Sequence, residues 1–71
     1  MTNARKFEAA LLVRGKTKAD IAKLLGRSLQ TVYNKINNIA DFKATEIALI
    51  CDCLKLSKKE RDEIFFAKEV E

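Results

Sequence analysis

This sequence predicts an all-α fold, on three observations. Apolar residues recur at intervals of three and four along most of the chain, the period of half-buried helices. Hydroxyl residues followed three positions later by an acid mark helix starts, and Gly15 and Gly26 mark stops. Proline is absent and glycine occurs only twice, so little interrupts helix formation between those signals. With 71 residues and 48% hydrophobic content the chain is one domain, close to the lower limit for a self-sufficient core.

Taken in order, either Thr2 or Asn3 caps a first helix running to about Arg14. Phe7, Ala10 and Leu11 form its inner stripe, with Ala4 and Arg14 at the edge, and Leu12 and Val13 widen the apolar surface. Gly15 ends it and Lys16 lies in the loop. Thr17 with Asp20 resembles a capping box, Asp replacing the usual Glu or Gln, and starts a second helix. Ile21, Ala22 and Leu25 are its buried face. Gly26 turns the chain, because only Gly enters the left-handed region without a Cβ penalty. Ser28 caps a third helix in which Val32 and Ile36 point back at the second. Leu29, Gln30, Thr31, Tyr33, Asn34 and Lys35 are left facing out.

Asn37 and Asn38 suit turn geometry, and Ile39 and Phe42 are expected to anchor the next loop in the core. A fourth helix runs from about Ala44 to Leu54, with Ile47, Ile50, Cys51 and Leu54 on one stripe. Glu46, Leu49 and Cys53 lie off it. Ser57 and Glu60 form a capping box that starts a fifth helix through about Phe66. Ile64 and one of Phe65 or Phe66 close the core. Residues 67–71 either fray, continue the helix or pair as an edge strand.

The stretch from Lys18 to Ile36 therefore reads as a helix-turn-helix. Its second helix carries amides and hydroxyls outward, a form suited to the major groove of DNA. The plain alternative is a helical hairpin that only packs a core.

Charge agrees with a polyanion partner. Residues 1–36 hold eight Lys/Arg and two acids, +6, while residues 37–71 hold six Lys/Arg and eight acids, −2. No apolar run approaches the roughly 18 residues of a membrane span. The basic-then-apolar start faintly mimics a signal peptide, but Glu8 interrupts a run already too short, so a cytoplasmic protein is expected. Cys51 and Cys53 diverge by roughly 200° on one helix and cannot pair with each other without unwinding it. With no His and no other Cys, no metal or other cofactor is expected. A lone Ser, Thr or Cys without a base is not a nucleophile, and no glycine-rich phosphate loop occurs, so an enzyme is not expected.

Ile21-Ala22, Leu25-Gly26, Val32, Ile36, Phe42 ahead of Glu46-Ile47, and the ending Ile64-Phe65-Phe66-Ala67-Lys68 carry a family resemblance. The chain resembles the small bacteriophage Cro and repressor proteins of the lambda-repressor-like helix-turn-helix family, from Phe7 to Phe66. Its ending from Ile64 to Lys68 is similar to the ends of small Cro-like regulators of phages and prophages of Gram-positive bacteria. Arg27 departs from the family's usual Val, Leu or Ile and makes the corner more open and more basic. Lys35 and residues 38–41 also depart. The resemblance implies a compact five-helix lambda-repressor-like domain over residues 1–71, with the helix-turn-helix at about 18–36.

It also implies that Leu29, Gln30, Thr31, Tyr33 and Asn34 meet DNA bases. Their chemistry is consistent: Gln30 and Asn34 can pair with an adenine edge, and Leu29 and the Thr31 methyl can meet a thymine methyl. Tyr33 packs either on sugar and phosphate or on its helix neighbours. Thr17 and Lys18 open the second helix, where free N–H groups favour a phosphate. Asn38 and Lys43 flank the other side of the reading helix, with Arg27 and Lys35, and also Arg14 and Lys16, as further phosphate candidates. The resemblance implies a homodimer on a palindromic duplex operator, through the fifth helix, the loop before it, and Leu49, Cys53, Phe65 or Phe66, with recognition helices about 34 Å apart. Those four residues could equally only finish the monomer core. Two functions are therefore expected: a Cro-like or repressor-like DNA-binding transcription regulator, or an antirepressor of the same fold that masks a partner phage repressor.

Overall fold

In the computed structural model, residues 1–67 are described. They form α1 (Ala4–Val13), α2 (Lys18–Leu25), α3 (Leu29–Ile36), α4 (Ala44–Leu54) and α5 (Lys58–Phe65), with no strand among them. The fold is thus all-helical, as its periodicity predicts. The alternatives for the tail concern residues 68–71, which lie outside the described residues; Ala67 donates its N–H to the Met1 carbonyl.

Each start is fixed by a side chain that accepts an otherwise orphaned N–H. Asn3 Oδ1 accepts from Lys6, which decides the first cap in favour of Asn3 over Thr2. Thr17 and Asp20 exchange both bonds of a capping box, and Ser57 and Glu60 do the same. Ser28 Oγ accepts from Thr31 N–H. Lysine has no acceptor, so at the start of α4 only the return half of a box exists, Lys43 N–H donating to Glu46 Oε1 at 2.9 Å. Gly26 closes α2 at φ +65, the left-handed corner that its position predicts.

The core draws on every helix. Phe7, Leu11, Ile21, Ala22, Val32, Ile36, Ile50, Leu54, Ile64 and Phe65 are buried. Three rings from distant parts of the chain form its centre. Phe42 stacks on Phe7 at 5.8 Å between centroids, and Phe65 meets both edge-on at 5.5 and 5.4 Å, the offset and perpendicular geometries that aromatic quadrupoles favour. Helix α2 packs against both α3 and α4, and α1 against α5.

Two expectations need correction here. Phe65, a candidate dimer contact, is sealed in the ring cluster, and it is Phe66 that stands 54% exposed. Ile39 does not anchor its loop. It is 75% exposed, because Asn38 adopts φ +64 and turns the chain outward before Phe42 brings it back.

That loop is held instead by the N-terminus. Thr2 N–H donates to Asn38 Oδ1 at 2.8 Å, Asn38 Nδ2 donates to the Thr2 carbonyl at 2.9 Å, and Asn3 N–H donates to the Ile64 carbonyl. The guanidinium of Arg14 does similar work at the other end of α1. It donates to the Leu54 carbonyl at the close of α4 and to Glu60 at the start of α5.

The backbone predicts two opposite substitutions. A Cβ on Gly26 would meet nothing within 4 Å, so Gly26→Ala carries only the left-handed penalty, about 1 kcal/mol or a melting temperature lower by about 4–8 °C. Lys55, which closes α4 at φ +53, already bears that penalty. Lys55→Gly should therefore raise stability by about 0.5 kcal/mol, after glycine's added unfolded-state entropy is subtracted. Thermal melts of both variants check this.

Candidate nucleic-acid interface

Helix α3 has two faces of different chemistry. Val32 and Ile36 are buried against α2, while Leu29, Gln30 and Tyr33 are exposed and Thr31 and Asn34 half-buried. Gln30 Nε2 donates to Asn34 Oδ1 at 2.9 Å, one helical turn away. The bond aligns the two amides side by side and leaves Gln30 Oε1 as an acceptor and Asn34 Nδ2 as a donor facing solvent. The Thr31 hydroxyl shares a hydrogen bond with Ser28 Oγ at 2.9 Å, which turns its methyl away from that partner.

Cations surround this face unevenly. Lys18 Nζ lies 5.0 Å from the centre of the Tyr33 ring and 2.7 Å from Glu8 Oε2, so one ammonium joins α1, α2 and α3. Both partners are partly exposed and the ion pair is weak enough to exchange. Lys43 is exposed, with its side chain free of any hydrogen bond among the described residues. At the start of α2, Asp20 already occupies the end of the helix. The Thr17 backbone N–H, then the Thr17 hydroxyl's part in the capping box, holds its carboxyl below the ordinary value of 3.8. A phosphate there must share the site with a carboxylate. Asn38 is further from its expected role, since both halves of its amide are bonded to the Thr2 backbone.

Lys35 corrects the reading of the face itself. It is only 6% exposed, and its Nζ donates to Glu46 Oε1 and lies 6.0 Å from the Phe42 ring centre. It cannot reach a phosphate from there. Position explains why: Lys35 follows the buried Val32 by three residues and so lies beside it at the edge of the buried stripe.

Its partner Glu46, 5% exposed, is the residue at this site that sequence reasoning passed over. The signal was present in the spacing Lys43-x-x-Glu46 ahead of an apolar run, the return half of a capping box. Burial pushes the Glu46 carboxyl up, but the Lys35 ammonium, the Lys43 N–H and the Arg27 charge outweigh it and leave it below the ordinary 4.5. Oε1 takes both hydrogen bonds. Oε2 receives none and has only Arg27 Nε at 3.4 Å, within ion-pair range but misaligned for a hydrogen bond. The Arg27 side chain itself remains 42% exposed at the corner before α3.

A family model described as the homeodomain-like domain matches residues 1–42, which is α1, α2, α3 and the loop to Phe42. The chain belongs to that family. It is thus a small helix-turn-helix protein of the kind that DNA-binding regulators use, and the matched residues include the whole of α2 and α3. No curated protein matches the chain. No helix among the described residues is long and apolar enough to cross a membrane, and no three potential metal ligands cluster there.

The carboxylates of this homeodomain-like chain fix the sign of its acid response. Glu46, Asp20 and Glu60 all have lowered folded-state values; for Glu60 the Ser57 N–H leads the causes. Such groups stabilise the fold above their unfolded values, and that stability is lost as pH falls through the lowered folded ones. Stability should hold at neutral pH and decline below about pH 4.5. Glu46→Gln should be less stable at neutral pH and show a shallower decline. Chemical denaturation across that range is the check, and parallel curves for the two proteins would contradict the assignment to Glu46.

Proposed function

We propose that the protein is a sequence-specific transcription regulator that reads the major groove of duplex DNA with α3, in the manner of Cro or a phage repressor. The observation that supports this most is the Gln30–Asn34 amide pair, Gln30 exposed and Asn34 half-buried, pre-aligned on a helix whose other face is locked in the core. Paired amides present the donor and acceptor that an adenine edge requires. Leu29 and Thr31 add apolar contact for a thymine methyl, and Tyr33, held under Lys18, is offered to the sugar–phosphate wall of the groove. Lys18, Arg27 and Lys43 supply phosphate contacts on both flanks, with the Thr17 end of α2 beside them. Phosphate contacts set register and base contacts set sequence.

A single module on one half-site binds weakly, so the proposal includes a homodimer on a palindromic operator. Leu49 and Cys53 sit one turn apart on the same face of α4, and the exposed Phe66 borders a groove lined by Phe42, Ala44, Ile47, Ala48 and Arg61. These are the surfaces through which a second copy would pack. The proposed setting is a phage or prophage promoter in a bacterial cytoplasm.

Selection of bound duplexes from a random pool tests the reading directly. A recovered palindrome is the expected outcome; recovery no better than input would reject it. Gln30→Ala should lose about 1–3 kcal/mol at one base position and relax preference there. If Lys18, Arg27 and Lys43 each neutralise one phosphate, together they contribute a slope of about −2.7 per subunit to the logarithm of affinity against the logarithm of salt. Binding that ignores both Gln30→Ala/Asn34→Ala and added salt would end the proposal.

A further inference from the structure

The buried carboxylate of Glu46 is in contact with the last turn of α3 and with the corner that precedes it. In the last turn it holds Lys35 Nζ. At the corner it faces Arg27, the residue before the Ser28 cap. It also binds the Lys43 N–H that opens α4. Helix α3 packs along α2, and this carboxylate also ties its Lys35 to α4. A charged pair at this depth is a poor way to add stability, because apolar residues of the same volume do as well or better once desolvation is counted. What a charged pair can supply is geometry. Arg27 is held by charge without a directional bond, so its guanidinium donors stay available while its position is constrained.

We propose that Glu46 is a positioning residue for DNA recognition: one buried carboxylate sets the angle of the reading helix through Lys35 and aims the Arg27 guanidinium at the phosphate beside it. The proposal rests on the DNA-binding reading given above. Glu46 never touches DNA. It acts as the supporting shell behind a contact surface that tolerates little displacement.

Truncating Glu46 alone would strand the Lys35 charge and could unfold the chain, so the test uses the double variant Lys35→Met/Glu46→Leu, which keeps the volume and removes both charges. Four measurements follow. The variant should melt close to the parent, yet the backbone amides of α3 should exchange with solvent faster relative to those of α1. Its affinity for the selected operator over random duplex should drop about tenfold, the size of one good base contact. Finally, Arg27→Gln should weaken binding in the parent by several-fold but have a much smaller effect in the double-variant background, because the two sites are coupled.

A variant that melts like the parent, with unchanged α3 exchange and an unchanged specificity ratio, would show the pair to be core filling and overturn the proposal. So would strictly additive effects of Arg27→Gln. A variant that fails to fold would overturn the claim that the pair serves geometry rather than stability. The exchange measurement needs no DNA. A parent chain that binds no duplex while the variant's α3 loosens would therefore reject the DNA-binding reading, and with it the recognition role, while leaving the mechanical effect of Glu46 on α3 on record.

Discussion

At eight residues, α3 is too short to stand as a helix in water, and every use of its outer face depends on neighbours that hold it. Three constraints do so. Ser28 caps its start, Val32 and Ile36 are buried against α2, and Lys35 is drawn inward to Glu46. The first two satisfy backbone polarity and the hydrophobic effect. The third leaves the polar residues Gln30 and Asn34 free to face outward, because the one long cation on the inner stripe has a buried partner of its own.

The remaining helices serve this arrangement. Helix α2 provides the wall, α4 brings Glu46, and α1 and α5 close around the ring cluster of Phe7, Phe42 and Phe65. Arg14 and Asn38 reinforce the two ends of that body by binding backbone carbonyls and amides distant in sequence. Such bonds to main-chain groups fix elements against each other with less freedom than surface ion pairs do.

Helix boundaries were legible because their causes are local. A Thr with an Asp three residues on, or a Gly after an apolar stripe, acts within one turn and needs no tertiary information. The two amides of the reading face were legible for the same reason, being set by phase on α3. Residues whose fate depends on distant partners were not. Lys35 was read by its chemical type and not by its phase, which places it beside Val32 at the edge of the buried stripe. Ile39 was assigned to the core for being apolar, although a loop residue has no period to aim it and Asn38 turns it out. Which of Phe65 and Phe66 turns inward depends on Phe7 and Phe42, two distant rings that Phe65 meets edge-on.

The ring cluster has a consequence for how such a protein can be inherited or rearranged. Phe7 precedes the helical corner, Phe42 follows it, and Phe65 arrives near the far end of the chain, so the corner is surrounded by its own foundations. It is not a portable cassette. A gene fragment ending after α4 would encode all the outward-facing amides and yet lack the third aromatic ring that lets them be displayed. Moving the corner alone into another chain is therefore not expected to give a folded unit, whereas point changes on the outer surface of α3 leave the ring cluster intact.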